Sequence, residues 1–316
     1  MTDYLDRHVV GVSSSAVGLM PTVLTVSDSF TPPFDMKALV YVIGGGGSGV
    51  QDILSITAGY YHRGGGAGGC AVSEIELLTS VSYTATIGAG GITPGGERQN
   101  GQSGGSSSFT GSNITTMIGN GGEGGQLLGA AEAQGGTASG GNIMNNPGGN
   151  GGIPTSISDF TGGGAVGLWG KGYSATDGGH VYYGRGASLI IPTSSSRRWS
   201  AGFSPFPFDI SVLSLSRRHG ETEHYYYNSI PAGVAPEMPA REVDDVIDTY
   251  IVPPSGVFAG GTGYGRTNMV AHVRGGDATL GGGGGSAGVL SSSGTRSAVA
   301  GQGGTGAIII IPLERL

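Results

Sequence analysis

Runs of apolar residues in the first third of the chain predict a set of β-strands. Residues 38–43 are continuously apolar, a pattern typical of a buried strand. Residues 81–87 alternate, with every second residue apolar, which predicts a strand with one buried face. Residues 23–30 and 70–77 alternate between apolar and polar side chains over part of their length, and each predicts a strand. Together the four segments predict a small antiparallel β unit.

The end of the chain carries a further strand signal. Residues 307–311 form an aliphatic run rich in β-branched side chains, bounded by Gly306 and Pro312. Because the composition of this run matches that of the early strands, we expect it to return and pair with them. That pairing would close the scaffold.

Between the strand signals the sequence is dominated by glycine, which accounts for 67 of the 316 residues. Uninterrupted glycine clusters lie at 44–47 and 281–285, and clusters of Gly-Gly-X pieces lie at 121–125, 148–152 and 303–306. A polyproline-II helix has three residues per turn and no internal hydrogen bonds, so a Gly-Gly-X segment leaves two bare faces on which neighbouring backbones can pair. The predicted fold is therefore mainly β with little helix: the small antiparallel β unit plus bundled polyglycine or polyproline-II helices.

Two other kinds of chain share a glycine-rich composition. Collagen requires glycine at every third position and abundant proline, whereas this chain has 15 prolines and irregular glycine spacing. A flexible linker or disordered low-complexity segment is the second alternative. The alternation of glycine clusters with aliphatic runs, and a mean hydropathy of +0.03, favour an ordered scaffold.

Residues 187–258 differ from the rest because they contain no glycine pairs and are rich in aromatic side chains. Within them, residues 239–250 have apolar side chains at helical spacing after a proline, which predicts one short helix. We interpret this segment as an inserted subdomain. The predicted organisation is an N-terminal arm or attachment peptide at 1–21, a glycine-rich scaffold at 22–186, the insert at 187–258, and a scaffold return with the closing strand at 259–316.

Net charge, hydrophobicity and cysteine content argue against several classes of partner and location. A formal charge of -7 disfavours nucleic acid as a partner, since phosphates require clustered Lys and Arg. The longest aliphatic run is far shorter than the ~20 residues that span a bilayer, so membrane insertion is not expected. Cys70 is alone, which excludes an internal disulfide. No secretory signal is evident at the start, which favours assembly in a cytoplasm.

Motifs that resemble catalytic or cofactor sites lack the residues that their chemistry needs. Residues 44–49 match the dinucleotide pattern G-x-G-x-x-G, but no helix signal follows and no acidic residue lies at the required distance. Gly170-Lys171 is not followed by the Ser or Thr of a phosphate-binding loop. His219 and His224 do not have the spacing of a zinc motif. We therefore predict a protein that is not an enzyme and holds no cofactor or metal.

Aromatic and polar residues between the glycine clusters are the candidates for recognition. Tyrosine and tryptophan combine a rigid apolar face with a hydrogen-bonding tip, which suits binding to sugars or protein loops. The alternative is that each ring packs over the scaffold. The predicted receptor-binding residues are Tyr60, Tyr61, His62, Trp169, Tyr173, His180, Tyr182, Tyr183 and Tyr264. The predicted docking or oligomer-interface residues are Trp199, Phe203, Phe206, Tyr225, Tyr226, Tyr227, Val243, Val246 and Ile247.

The order of the segments resembles the glycine-rich tail-fibre and tail-tip adhesin domains of tailed bacteriophages. The resemblance is carried by 39–47, 64–69, 83–91, 104–109 and 303–310 in succession. It implies a virion protein, assembled in the host cytoplasm, whose stacked polyglycine helices present variable loops to a bacterial surface receptor. It also implies contacts with other tail proteins, through the arm or the insert, and a homotrimeric fibre as one possible context. The short arm and the insert depart from that family pattern.

Other function classes stay open at this point. A structural virion appendage or adaptor protein would use the insert to dock on tail or head proteins. An extracellular ice-binding protein of polyglycine helices would present a flat face rich in Thr and Ala, and it would be secreted. A polysaccharide hydrolase is the least favoured, because it requires paired carboxylates at a defined separation.

Overall fold

A computed structural model describes the parts of the chain on which the fold depends. The described residues are 21–52, 62–127, 132–152, 162–175, 241–243, 260–261, 264–267, 271–274, 277–278, 280–290 and 296–316, apart from 94, 97, 169 and 173. Over these residues the structure is mainly β, with no helix. The predicted arm, except Pro21, and almost all of the predicted insert lie outside them.

Most of the described strands are short, and three are long. They are β1 (Thr22–Leu24), β2 (Asp28–Phe30), β3 (Met36–Ile43), β4 (Gln51–Asp52), β5 (Cys70–Leu77), β6 (Tyr83–Thr86), β7 (Arg98–Gln99), β8 (Ser107–Thr110), β9 (Met117–Gly119), β10 (Ala138–Ser139), β11 (Met144–Asn146), β12 (Arg241–Val243), β13 (Tyr264–Thr267), β14 (Ala271–Arg274), β15 (Ala287–Leu290), β16 (Arg296–Val299) and β17 (Ala307–Arg315). The three long strands, β3, β5 and β17, are adjacent in one sheet.

Two antiparallel sheets of five strands form a sandwich. The first sheet has the order β1-β17-β3-β5-β11, and the second has the order β10-β9-β8-β6-β2. The predicted return of the final strand is confirmed, because β17 pairs with both β1 and β3, placing Ile310 opposite Thr22 and Val40. The first and last strands of the sandwich are therefore held together.

The core between the sheets is built from alternate residues. Val40 and Val42 of β3 meet Tyr83, Phe109 and Met117 from the second sheet, and all five side chains are buried. The rings of Tyr83 and Phe109 stack with centroids 5.3 Å apart. The alternation over 81–87 is thus confirmed, since the odd-numbered side chains join this core. Burial of these large apolar groups is the main stabilising term of the sandwich.

The opposite face of the first sheet is buried as well. Leu39, Tyr41 and Ile43 lie on this face and are covered by Leu168 and Leu280, which come from segments outside both sheets. A strand covered on both faces needs apolar side chains at every position. This double burial explains why residues 38–43 are continuously apolar.

Two sequence predictions need correction. Residues 23–30 do not form one strand, because β1 joins the first sheet and β2 joins the second. Val26 lies between them and is 73% exposed, so the chain crosses from one sheet to the other at this point.

The helix predicted at 239–250 is wrong at residues 241–243. Those residues form β12, which pairs antiparallel with β14. Backbone pairing with a neighbouring strand has overridden a helical periodicity that is only a weak local preference. The other residues of that prediction lie outside the described part of the chain.

The glycine segments continue from the ends of the strands and are joined to one another by backbone hydrogen bonds. Residues 44–50 follow β3, and their N–H groups donate hydrogen bonds to three neighbouring segments in turn. The accepting carbonyls, for donors 44 to 50 in order, are those of Gly69, Gly105, Gly304, Gly66, Gln102, Gly301 and Arg63, at N···O distances of 2.8–3.1 Å. Every third residue of this segment therefore returns to the same neighbour.

The same segment accepts hydrogen bonds from three further segments. The N–H groups of Gly122, Gly91 and Gly284 donate to the carbonyls of Gly45, Gly46 and Gly47 respectively. Segment 44–50 is consequently surrounded by six others, three that accept from it and three that donate to it. Nearly all of its backbone polar groups are satisfied without any side chain.

This packing leaves no room for a β-carbon. A methyl group placed on Gly46 would overlap the backbone carbonyl of Gly282, and one on Gly47 would overlap that of Glu123. Gly281 has a second reason to be glycine, because its φ of +73° belongs to the left-handed region. The predicted polyproline-II conformation of the segments is a finer statement than these contacts and is taken up under the proposed function.

We predict that Gly46→Ala destabilises the protein by about 3 kcal/mol or more, the upper range of overpacking costs, because the clash is with rigid backbone. The matched control is Gly95→Ala, since a β-carbon at Gly95 meets nothing within 4 Å. The control should change the free energy of unfolding by no more than about 0.5 kcal/mol. Urea unfolding followed by circular dichroism measures both, and equal stability of the two variants would contradict this packing.

The buried thiol of Cys70 provides a probe of the folded state. Cys70 is fully buried in the core on the outer face of the first sheet, and burial raises the pKa of its thiol. Because the thiolate is the reactive form, we predict that native protein resists a disulfide reagent at pH 8 and reacts rapidly in denaturant. Absorbance of the released thiol measures the rate, and fast labelling of the native protein would place Cys70 at the surface.

Candidate functional site

The two ends of the glycine bundle differ. At one end its segments continue into the strands of the sandwich, as 44–50 does from β3 and 63–69 does into β5. At the other end the chain leaves the described residues after Asp52 and returns at His62. We call this second end the tip and define it by β4, β7, His62, Arg63 and Ser286.

Short strands at the tip extend the glycine segments. β4 follows segment 44–50, β15 follows 281–286, and β16 leads into 300–306. One sheet has the order β13-β15-β4-β7, with β15 parallel to both β13 and β4. A second sheet has the order β12-β14-β16. These strands of the tip therefore run in the same directions as the glycine segments that they extend.

Side-chain contacts tie the strands of the tip together. Asp52 is fully buried in β4, and its Oδ2 lies 3.0 Å from Nε2 of His62, whose side chain is 1% exposed. The other carboxylate oxygen of Asp52 lies 3.4 Å from Nε of Arg98, the residue opposite it in β7. Asp52 and His62 bracket residues 53–61, so this contact closes the base of that connection.

Arg63 and Ser286 extend the network to neighbouring segments. The Arg63 side chain is buried, and its Nη1 donates to the carbonyl of Gln126 at 3.4 Å. The hydroxyl of Ser286 donates to the carbonyl of His62 at 3.1 Å. Gln126 stands just before the connection 128–131, so the same network fixes the beginning of a second connection.

We call Asp52, His62 and Arg98 the clamp, because their contacts link neighbouring segments of the tip. An Asp–His pair orients a serine nucleophile in hydrolases, but the Ser286 hydroxyl is bonded to the His62 backbone and not to its ring. Among the residues that the structure describes, no three His, Cys, Asp or Glu side chains gather as metal ligands. In the same part of the chain there is no helix long and apolar enough to cross a bilayer.

Most of the predicted receptor-binding residues lie outside the described part of the chain. They are Tyr60, Tyr61, Trp169, Tyr173, His180, Tyr182 and Tyr183. The structure places the backbone of Tyr264 in β13 at the tip and the buried ring of His62 in the clamp. Leu168, which precedes Trp169 in the sequence, packs on the first sheet.

Most of the predicted docking residues likewise lie outside the described part of the chain. Only Val243 belongs to it, as the last residue of β12. The remaining ones are Trp199, Phe203, Phe206, Tyr225, Tyr226, Tyr227, Val246 and Ile247.

Sequence reasoning missed Asp52, Arg63 and Arg98. Their positions in the sequence could have indicated them. Arg63 directly precedes the glycine cluster that begins at Gly64, and Asp52 follows the cluster 44–49 by three residues. Charged residues are scarce in this chain at 12% of the total, which makes those at the ends of glycine clusters informative.

A comparison with protein families agrees with the fold and the composition. The profile described as Glycine-rich domain matches residues 23–311, which covers the sandwich, the bundle and the tip. A comparison with curated proteins finds no match. Since the family profile matches far more than half of the sequence, the chain belongs to the glycine-rich domain family.

Proposed function

We propose that this protein is a virion tail-fibre or tail-tip component of a bacteriophage that binds a bacterial surface receptor without chemically altering it. The observation that carries the proposal is a close-packed backbone bundle at whose end Asp52 and His62, the residues on either side of 53–61, are in contact. A binding protein needs recognition residues held still by a scaffold that takes no part in recognition.

The scaffold in this proposal consists of polyglycine or polyproline-II helices. The support is the rotation of hydrogen-bond partners along segment 44–50, which repeats every third residue. Such a repeat fits a helix with three residues per turn. Six-fold enclosure of this segment makes local bending costly, because any displacement breaks bonds to several neighbours at once.

The recognition surface is proposed to be the set of connections that begin and end at the tip. Residues 53–61 contain Tyr60 and Tyr61, and the residues that flank this range, Asp52 and His62, are in contact. His62 itself is then a positioning residue, since its ring is buried. Tyrosine-rich connections suit a glycan or a loop of an outer-membrane protein, with an apolar face for stacking and a hydroxyl for hydrogen bonding.

The remaining proposals concern the attachment of the protein to the virion. The N-terminal arm precedes β1, at the edge of the sandwich, so it departs from a position well away from the tip. Docking on other tail proteins is assigned to the arm or to residues 187–258. A homotrimeric fibre, assembly in the host cytoplasm, and the absence of cofactor, metal and nucleic acid all belong to the same proposal.

The first experiment measures binding of purified, fluorescently labelled protein to susceptible bacteria and to resistant mutants of the same strain. We predict saturable binding to the susceptible cells, absent from mutants that lack the surface receptor. Excess unlabelled protein should compete, and the bound cells should release no sugar or peptide product. Binding to neither strain would contradict receptor binding and would instead support the role of a structural virion appendage.

The second experiment tests the clamp beneath residues 53–61 with Asp52→Asn. The amide removes the negative charge that faces His62 and Arg98, so we predict that cell binding weakens by about tenfold or more, roughly 1.4 kcal/mol. The control is Asp28→Asn, because Asp28 is exposed on the sandwich and its side chain accepts the backbone N–H of its neighbour Ser29. Protection of Cys70 from labelling verifies that both variants are folded. Wild-type affinity in folded Asp52→Asn protein would show that the clamp does not position the binding residues.

A further inference from the structure

The connection between Gly91 and β7, residues 92–97, is held at both of its ends. The N–H of Gly91 donates to the carbonyl of Gly46 at 2.8 Å, and the carbonyl of Gly91 accepts the N–H of Gly303 at 2.9 Å. At the other end, β7 pairs with β4, and the clamp joins the same two strands. Connection 92–97 therefore begins in the bundle and ends in the sheet of the tip.

The side chain of Gln51 binds this connection near its end. Gln51 is the first residue of β4 and is 6% exposed. Its Nε2 donates to the carbonyl of Gly96 at 2.5 Å, and its Oε1 accepts the N–H of Ala300 at 3.4 Å. One buried side-chain amide thus joins β4, connection 92–97 and the start of a further glycine segment.

Two more features restrict the connection. The hydroxyl of Thr93 donates to the carbonyl of Ala300 at 3.0 Å, so both backbone polar groups of Ala300 are bonded to side chains of the tip. Gly96 has a φ of +123°, which lies in a region where residues with a β-carbon are strained. The carbonyl that Gln51 binds is therefore held in place by a backbone conformation that favours glycine.

The two residues of β4 consequently act on two different connections. Asp52 contacts His62, the residue that follows 53–61, whereas Gln51 contacts connection 92–97. Because adjacent residues of one short strand hold both connections, we expect the two to keep a fixed position relative to each other.

We propose that Gln51 is a positioning residue for receptor binding, and that connection 92–97 belongs to the recognition surface together with 53–61. The inference rests on the proposed function. An amide suits this role because it donates to one segment and accepts from another, which a carboxylate cannot do. A surface made of two connections binds more tightly when both are already ordered, since ordering them on binding would cost free energy.

The test compares Gln51→Glu with the control Gln102→Glu. The carboxylate keeps an acceptor for Ala300, but it cannot donate to Gly96 and it places a negative charge beside that carbonyl. Gln102→Glu makes the same chemical change at an exposed position of the bundle. Trypsin cleavage after Arg98 measures local opening without any receptor, and labelled protein on susceptible cells measures recognition. We predict about tenfold faster cleavage and about tenfold weaker binding for Gln51→Glu, the effect expected when a buried hydrogen bond is lost, and wild-type values for the control.

A second variant, Gly96→Ala, perturbs the same connection without a change of charge. The nearest neighbour of a β-carbon at Gly96 is the flexible side chain of Gln99, at 3.2 Å, so the strain comes from the positive φ. We predict that cleavage and binding change in the same directions as in Gln51→Glu. Protection of Cys70 from labelling verifies that each variant is folded.

Two results would overturn the inference. One is that folded Gln51→Glu and Gly96→Ala proteins are cleaved after Arg98 no faster than wild type, which would show that Gln51 does not hold the connection. The other is faster cleavage with unchanged cell binding, which would remove connection 92–97 from the recognition surface and leave the proposed function intact. A wild-type protein that binds no cells would overturn the proposed function and the receptor role of Gln51 with it, and the cleavage rates would still decide whether Gln51 fixes the connection.

Discussion

The structure depends on hydrogen bonds between backbones that carry no side chains. In segment 44–50 each N–H finds a carbonyl on one of three neighbours, and a β-carbon on any of its glycines would overlap a neighbouring backbone carbonyl. A hydrogen bond contributes about 0.5–1.5 kcal/mol net, whereas ordering one residue costs about 1–2 kcal/mol, and glycine is the most costly residue to order. An isolated segment would therefore not hold its shape. The bundle persists because its segments also accept bonds, pack closely and are fixed at one end by the sandwich.

Departures from glycine in the enclosed segments show how strict this constraint is. Ser48 is buried within 44–50, and its hydroxyl oxygen accepts the N–H of Gln102 at 2.8 Å, so the side chain contributes a bond of the kind that holds the bundle. Ala67 lies in the neighbouring segment and its methyl group joins the apolar core beneath the first sheet. Both residues are small, and each has a specific place for its β-carbon. Larger residues, such as Glu123 and Gln302, stand in other segments of the bundle.

The sequence was most informative where one physical rule acts alone. Alternation at 81–87 predicted the buried face of β6, and the composition of 307–311 predicted the return of β17. The glycine clusters indicated bare packing, although the spacing could not show which segments touch, since partners such as Gly46 and Gly304 are far apart in the chain. The sequence failed at β12, where pairing with β14 outweighs a local helical pattern. It also missed the clamp, because Asp52, His62 and Arg98 meet only when three segments are packed side by side.

Each part of the fold has a separate structural role. The sandwich supplies the apolar core, and the bundle extends from its strands. The clamp holds together Asp52 and His62, the residues on either side of 53–61. The claim at the centre is that bare backbone segments form a rigid body, and amide hydrogen exchange of residues 44–50 and 63–69 tests it most directly. The account predicts exchange as slow as that of β3 and β5, because opening one segment breaks bonds to its neighbours. Exchange at the rate of an unstructured peptide in these segments, with β3 and β5 still protected, would contradict it.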